Sequence, residues 1–377
     1  MEQVKLKNGD IVIGKPVSWN CYDKDGILLL RKGQIIESGK QLETLLNRGL
    51  FHSEKHNDSS SSQPAVTTNQ SPFELLNAIQ HELELLFSKI SEGATDKFRE
   101  NLILLCDKIE QSCDKDADAT IGNIFMCKEY KYTVRHPVNV AVICEIVSKQ
   151  LKWTDQERLP LLAAALTMNI GMLNLQDKLY SQKEPLTDEQ KRAIRDHPEH
   201  GVEILSQMNV LDKVWIEGIL YHHEAIDGTG YPSGFKGYTI PPCARIIAVA
   251  DQYCAAVSSR SYRRSLTPQE SMKEIYLTAG TKTDQDIVNL CVRLLGVYPP
   301  GTFVRLANNE IAVVTHRGEK AHAPIAHSIV KSNTKDMFLS PMKRDCSKAE
   351  FSITEIVNAE KEKIRINPYQ LWGYCVL

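Results

Sequence analysis

The sequence contains no cysteine pair with the spacing of a metal knuckle or a dithiol redox site. Its ten cysteines, at Cys21, Cys106, Cys113, Cys127, Cys144, Cys243, Cys254, Cys291, Cys346 and Cys375, never form a C-x-x-C, which excludes those two classes. Several lie inside apolar runs, as in Leu104-Leu105-Cys106 and Val142-Ile143-Cys144, and read as small buried hydrophobes. No charge of one sign dominates either. Lys and Arg total 45 against 47 for Asp and Glu, a net charge of -2, so there is no general attraction to DNA, RNA or anionic lipid. Long apolar runs are also missing. Leu159 to Leu166 is the longest, well short of the roughly 20 residues of a membrane helix. Met1 to Gly9, MEQVKLKNG, lacks the apolar core of a secretory signal. These absences predict a soluble, cytoplasmic protein without a membrane span.

What is present divides the chain, whose 377 residues exceed one ordinary domain. Residues 1–55 alternate short apolar runs with turns (Ile11-Val12-Ile13, Asp23 to Gly26, Ile27 to Leu30) and predict a small strand-rich domain closed by a helix near 38–50. Residues 56–71, HNDSSSSQPAVTTNQS, hold too little apolar surface to offset the entropy of ordering and predict a flexible linker. Residues 72–118 place Leu75, Leu76, Ile79, Leu83 and Leu86, then Leu102, Leu105 and Ile109, at helical spacing. This amphipathic helical pair packs on the next domain or on a second copy of itself as a homodimer; periodicity does not name the partner. Residues 119–296 predict an all-helical domain, with a capping box at Thr187 to Gln190 and a new helix opening at Pro198. Residues 297–377 predict a β-rich extension, from the runs Thr302 to Leu306 and Ile311 to Thr315 about the turn Ala307 to Glu310.

Chemistry-bearing residues concentrate in the helical section. Asp251 ends the apolar run Ile246 to Ala250, where a buried carboxylate costs several kcal/mol unless it is paired or meets a cation. His136, His197, His222 and His223 are candidate ligands, although a single histidine on an apolar face is more often a satisfied core residue. Adjacent His222 and His223 diverge by about 100° on a regular helix, so serving one metal requires the helix to end there. The glycine-rich Glu224 to Gly237 supplies that ending. The same stretch reads either as an ordinary surface loop or as permissive backbone for close approach to a ligand.

Taken together, His222-His223-Glu224, Asp227-Gly228, Gly230-Tyr231-Pro232, Gly237, Ile240-Pro241, Ala244-Arg245-Ile246, Ala250-Asp251 and Arg260 to Arg263 resemble, in order and spacing, the signature of HD-GYP domains. The likeness extends upstream through His197-Pro198 to Tyr132 and His136 and covers roughly 123–295. It implies a mainly α fold, an HD-type helical bundle flanked by the β-rich N-terminal unit and C-terminal appendage. It further implies hydrolysis of cyclic di-GMP on a pair of iron or manganese ions, about 3.5–4 Å apart, that hold a hydroxide and the phosphate.

The resemblance also exposes a departure. Where the family carries a His-Asp pair followed by Ile-Gly-Lys, this sequence reads Met168-Asn169-Ile170-Gly171-Met172. A thioether is a poor ligand for Fe or Mn, Asn169 cannot bridge two cations, and Met172 has no proton to give. Cys254 stands where a second Asp usually follows Asp251. No implied catalytic residue is therefore intact. The resemblance assigns His136 and Asp251 to one metal site and His197, His222 and His223 to the other. This predicts a single divalent ion on the three histidines, or none, with the five residues hydrogen-bonded among themselves. Gly230, Tyr231, Pro232, Lys236, Arg260, Arg263 and Arg264 remain to meet phosphates and guanine faces, or form only a solvated basic corner. The expected function is a catalytically impaired binding or regulatory module in cyclic di-GMP signalling. Its partners would be the dinucleotide or proteins such as diguanylate cyclase-type domains contacted through the GYP loop. The alternative is a working phosphodiesterase with an unconventional metal site.

Overall fold

The structure is a computed structural model that describes residues 70–91, 96–258, 266–332, 336–359, 361–362 and 364–374, with 3–5, 11, 17, 21–22, 28–30, 36, 39, 42–43 and 51–53 ahead of them. Most of the expected linker, the bulk of the helix expected near 38–50, and Arg260, Arg263 and Arg264 lie outside the described residues. The chain forms two compact units, 1–69 with 366–377 and 70–365.

In the first unit, β1 (Gln3–Lys5), β2 (Cys21–Tyr22), β3 (Leu28–Leu30) and β4 (Phe51–Ser53) pair antiparallel in the order β1-β4-β2-β3. Ile11, Val17, Cys21, Leu30, Ile36 and Leu42 form its core. Residues 366–377 belong to this unit rather than to the β-rich extension expected at 297–377, a grouping between chain ends that local periodicity does not encode.

The second unit begins with α1 (Pro72–Ser91) and α2 (Phe98–Met126). Helix α2 leaves helical geometry at Asp116, whose Oδ1 accepts from the Ala119 N–H at 2.9 Å and caps the helix's second half. Helix α3 (Tyr132–Gln150) is buried along almost its whole length, the pattern of a central core helix. It is followed by α4 (Asp155–Thr167), the 3-10 turn Ile170–Met172, α5 (Leu173–Ser181), α6 (Asp188–Gln207) and α7 (Lys213–Tyr221). Then come α8 (Pro242–Val257), α9 (Pro268–Thr278) and α10 (Gln285–Leu295). A single core joins them, running from Leu76 and Ile79 of α1 to Leu295, so the amphipathic pair spends its apolar faces on the domain that follows. The segment Asp155–Ser181 matches a membrane span in length and composition, yet 67% of its most apolar stretch is buried in this core.

The predicted β-rich segment is an antiparallel sheet of β5 (Phe303–Leu306), β6 (Ile311–His316), β7 (Ile325–Val330), β8 (Met337–Asp345) and β9 (Ile353–Ile356), ordered β8-β7-β6-β5-β9. Contacts among the described residues tie it to the helices. Gly301, at φ 88°, lies so close to α2 that an added Cβ would stand 2.7 Å from the Gly122 carbonyl oxygen. Arg317 pairs with Asp118 and donates to the Leu294 carbonyl at 2.8 Å.

Candidate functional site

Helix α6 runs unbroken through Pro198, against the expectation that a helix starts there. Proline brings no N–H, so the Ile194 carbonyl four residues back lacks its usual helical donor. His197 fills the gap, with its Nδ1 2.6 Å from Ile194 O. A carbonyl only accepts, so Nδ1 carries the proton and Nε2 keeps a lone pair. His222 immediately follows the last residue of α7 and repeats the device, its Nδ1 2.6 Å from Ile219 O. The two Nε2 atoms face each other at 3.3 Å. His223 completes the group because the helix ends at Tyr221, as the adjacent histidines required. Its ring centroid lies 5.1 Å from that of His197 and 4.1 Å from that of His222, and one ligand nitrogen from each of the three falls within 4.8 Å of the others.

Burial lowers the pKa of His197 and pushes that of His222 well below the usual range, with His223 and His197 adding to the second shift. Burial, then His197, brings His223 down to about 3. At neutral pH the cluster is thus three uncharged imidazoles, and the lone pairs of His197 and His222 confront each other without a proton between them. That donor set fits a divalent cation, which would replace the repulsion with two coordinate bonds.

Beside the cluster lies a cavity of about 200 Å3, lined by His136, Asn169, Met172, Gln176, His223 and Asp251 among others. Residues far apart in sequence, all but Gln176 expected at the site, therefore share one wall. His136 Nε2 donates to Asp251 Oδ1 at 2.7 Å, and its buried Nδ1 has no partner among the described residues. Its ring stacks on Tyr132 at 4.7 Å, and Tyr132 stacks in turn on Tyr180. Met168 is wholly buried in the core and is not among the lining residues, unlike Asn169 and Met172.

The loop after His223 is anchored by Glu224, which had no role in the sequence reading beyond its place in the signature. Its buried carboxylate accepts from the backbone N–H groups of Ser233 at 2.7 Å, Gly234 at 3.1 Å and Phe235 at 3.0 Å. Gly230 passes so close behind it that a Cβ would stand 2.3 Å from the Ala225 nitrogen. This folding lays the Tyr231 ring on His223 at 4.8 Å, with Arg195 over its other neighbourhood at 5.6 Å. Pro232 follows Tyr231 in the same turn. Lys236 is exposed, its stem crosses Gly228, and it does not line the cavity.

Gln176 and Tyr180 were also missed. They sit one turn apart on α5, and the buried Gln176 Oε1 has no partner among the described residues. The i, i+4 spacing of Met172, Gln176 and Tyr180 was the available signal, but nothing marked that face as functional before α5 was seen against α3.

Residues 122–287, which span most of the helical bundle and include the three histidines, match the family described as HD domain. The family match together with the relatives below supports an HD-GYP family domain in this stretch. The chain is 30% identical to the cyclic di-GMP phosphodiesterase PA4108 of Pseudomonas aeruginosa over 56% of its own length and 50% of the relative. It is 28% identical to the cyclic di-GMP phosphodiesterase PdeB of Borreliella burgdorferi over 53% of each chain. It thus spans about half the length of these curated relatives. Among solved structures, Bd1817, an HDG"Y"P protein from Bdellovibrio bacteriovorus, shares the fold with a TM-score of 0.51 at 16% identity, covering 78% of this chain and 99% of that one.

Proposed function

We propose that this protein is a cyclic di-GMP-binding HD-GYP module with impaired hydrolysis, holding one divalent ion, iron or manganese, on His197, His222 and His223. The relatives named as cyclic di-GMP phosphodiesterases support the ligand class. The observation that carries the impairment is the composition of the cavity wall. Where the family resemblance calls for a bridging carboxylate and a lysine, the wall presents the neutral Asn169 and Met172, and Asp251 is already engaged with His136. A bound cation would act as Lewis acid toward a phosphate oxygen. Tyr231, stacked on His223, offers a ring face beside that position, and Gly230 and Pro232 hold the turn that presents it. Lys236, with Arg260, Arg263 and Arg264, would supply charge to the ligand's second phosphate. A regulatory role follows, exerted through the dinucleotide or through a protein bound at the Gly230 to Pro232 turn.

The test is hydrolysis of cyclic di-GMP to pGpG or GMP with Fe(II) or Mn(II), comparing the natural protein with a Met168→His, Asn169→Asp, Met172→Lys triple variant. Loss of a bridging charge and a proton donor each cost several kcal/mol of barrier, so activity in the natural protein is expected to be lower by roughly three or more powers of ten. Turnover by the natural protein at a rate comparable with the variant overturns the reading and favours an active phosphodiesterase with an unconventional site. Metal analysis is expected to return one ion per chain; two, or none after loading, rejects the single-ion assignment.

A further inference from the structure

A second cavity, of about 400 Å3, lies between the helices and the C-terminal sheet of the same unit. Arg135 and Tyr180 line it from the helical side and Thr302 from the sheet side, with Phe125 and Phe303 as apolar walls. Arg135 is only 8% exposed, and among the described residues its guanidinium makes a single hydrogen bond, 3.4 Å to the Tyr180 hydroxyl, and no ion pair. A guanidinium has five N–H donors, and a buried cation without an anion costs several kcal/mol. Thr302 is 4% exposed and its Oγ1 has no partner among the described residues. A buried guanidinium with one long hydrogen bond and a buried hydroxyl with no described partner thus face one cavity.

We propose that this cavity binds a phosphate monoester of up to nucleotide size. The planar Arg135 fork would take two phosphate oxygens, the Thr302 hydroxyl would donate to the third, and the organic part would lie against Phe125 and Phe303. Lys128 and the first turn of α9, opening at Thr267 and capped by its own Glu270, also line the cavity. The charges of Arg135 and Lys128 together suit the two negative charges of a monoester better than the single charge of a carboxylate. A volume of about 400 Å3 lies at the lower end of the range that encloses small ligands, roughly 300–1,000 Å3. Tyr180 lines both this cavity and the histidine cavity, so the occupant would be one side chain away from the metal-binding cluster. The proposal stands whether or not the chain binds a cyclic dinucleotide.

Calorimetric titration of the full chain with inorganic phosphate and with GMP tests it, on the natural protein and on Arg135→Gln, Thr302→Val and His223→Ala. One saturable site that does not depend on His223 is expected. Arg135→Gln should weaken it roughly 30-fold, the scale of lost charge-assisted hydrogen bonds, and Thr302→Val about 5-fold. His223→Ala should leave it within about twofold. GMP binding more tightly than phosphate supports recognition of the organic part; equal affinities support an anion site alone. Should Arg135→Gln fail to fold, Thr302→Val carries the comparison. Absence of binding to either ligand up to about 10 mM, or binding that survives Thr302→Val and Arg135→Gln but disappears in His223→Ala, overturns the proposal.

Discussion

Pro198 and His197 act as a pair at the smallest scale. The proline withholds a backbone donor from Ile194 O, and the imidazole takes the vacancy, which fixes its tautomer and aims Nε2 at His222. Pro198→Ala returns an N–H that competes for the same carbonyl. Affinity for Mn(II) should fall about 10-fold, the low end of the cost of losing an outer-shell partner, while thermal stability holds or rises because proline inside a helix is unfavourable. An unchanged Mn(II) affinity in a titration would remove this role from Pro198. Glu224 is a second such point. Glu224→Gln turns one accepting oxygen into a donor facing backbone N–H groups, costing ~1–3 kcal/mol locally. Amide hydrogen exchange at Ser233, Gly234 and Phe235 should accelerate roughly 10-fold or more.

Helices α2, α3 and α4 are joined by a charged network. Glu145, fully buried on α3, meets Arg158 Nε of α4 at 3.3 Å and Lys149 Nζ at 3.2 Å, and Arg158 also pairs with Glu110 of α2. Burial raises the Glu145 pKa, and Arg158 and Lys149 counter it only in part. A raised carboxyl pKa means that the folded state binds the extra proton, so this group's penalty is present at neutral pH and relieved on acidification. Arg158→Ala should therefore cost ~3–5 kcal/mol at pH 7 by leaving the buried Glu145 charge with Lys149 as its one remaining described ion-pair partner. The deficit should narrow as pH falls and Glu145 protonates, which denaturant melts at several pH values will read.

For the 70–365 unit as a whole, acid sensitivity has a source in the C-terminal sheet as well. Burial, with smaller contributions from His316 and Lys343, lowers His327 to about 4. A histidine kept neutral by folding binds fewer protons than it does unfolded. Its contribution is complete above its unfolded pKa near 6.5 and is lost as pH falls from there toward about 4. His327→Gln should flatten the stability profile across that window. The contact between Gly301 and Gly122 belongs to this scale too. Gly301→Ala forces a side chain into α2 at a positive φ, and a loss of ~1–3 kcal/mol is expected in thermal or denaturant melts.

Much of this was legible in the sequence, because it rests on local rules. The 3.6-residue periodicity of 72–118, the Thr187 to Gln190 capping box, the hairpin at 302–315 and the histidine pair at a helix end each depend on neighbours within a few residues. The spacing from His222 to Asp251 was long enough to point to a family. Other features depend on which surfaces meet. Pro198 reads as a helix start until His197 is seen to occupy the carbonyl it frees. Gln176 and Tyr180 are ordinary helix residues until α5 lies against α3, and Arg135 looks like a surface cation until the sheet closes over it. The sequence alone determined the elements and the ligand types, since propensity, capping and periodicity act along the chain. Only the tertiary structure decided that Asn169 and Met172 share a wall with His136 and Asp251, and that a buried arginine faces a cavity, because burial and unmet hydrogen bonds arise between segments that the sequence keeps apart.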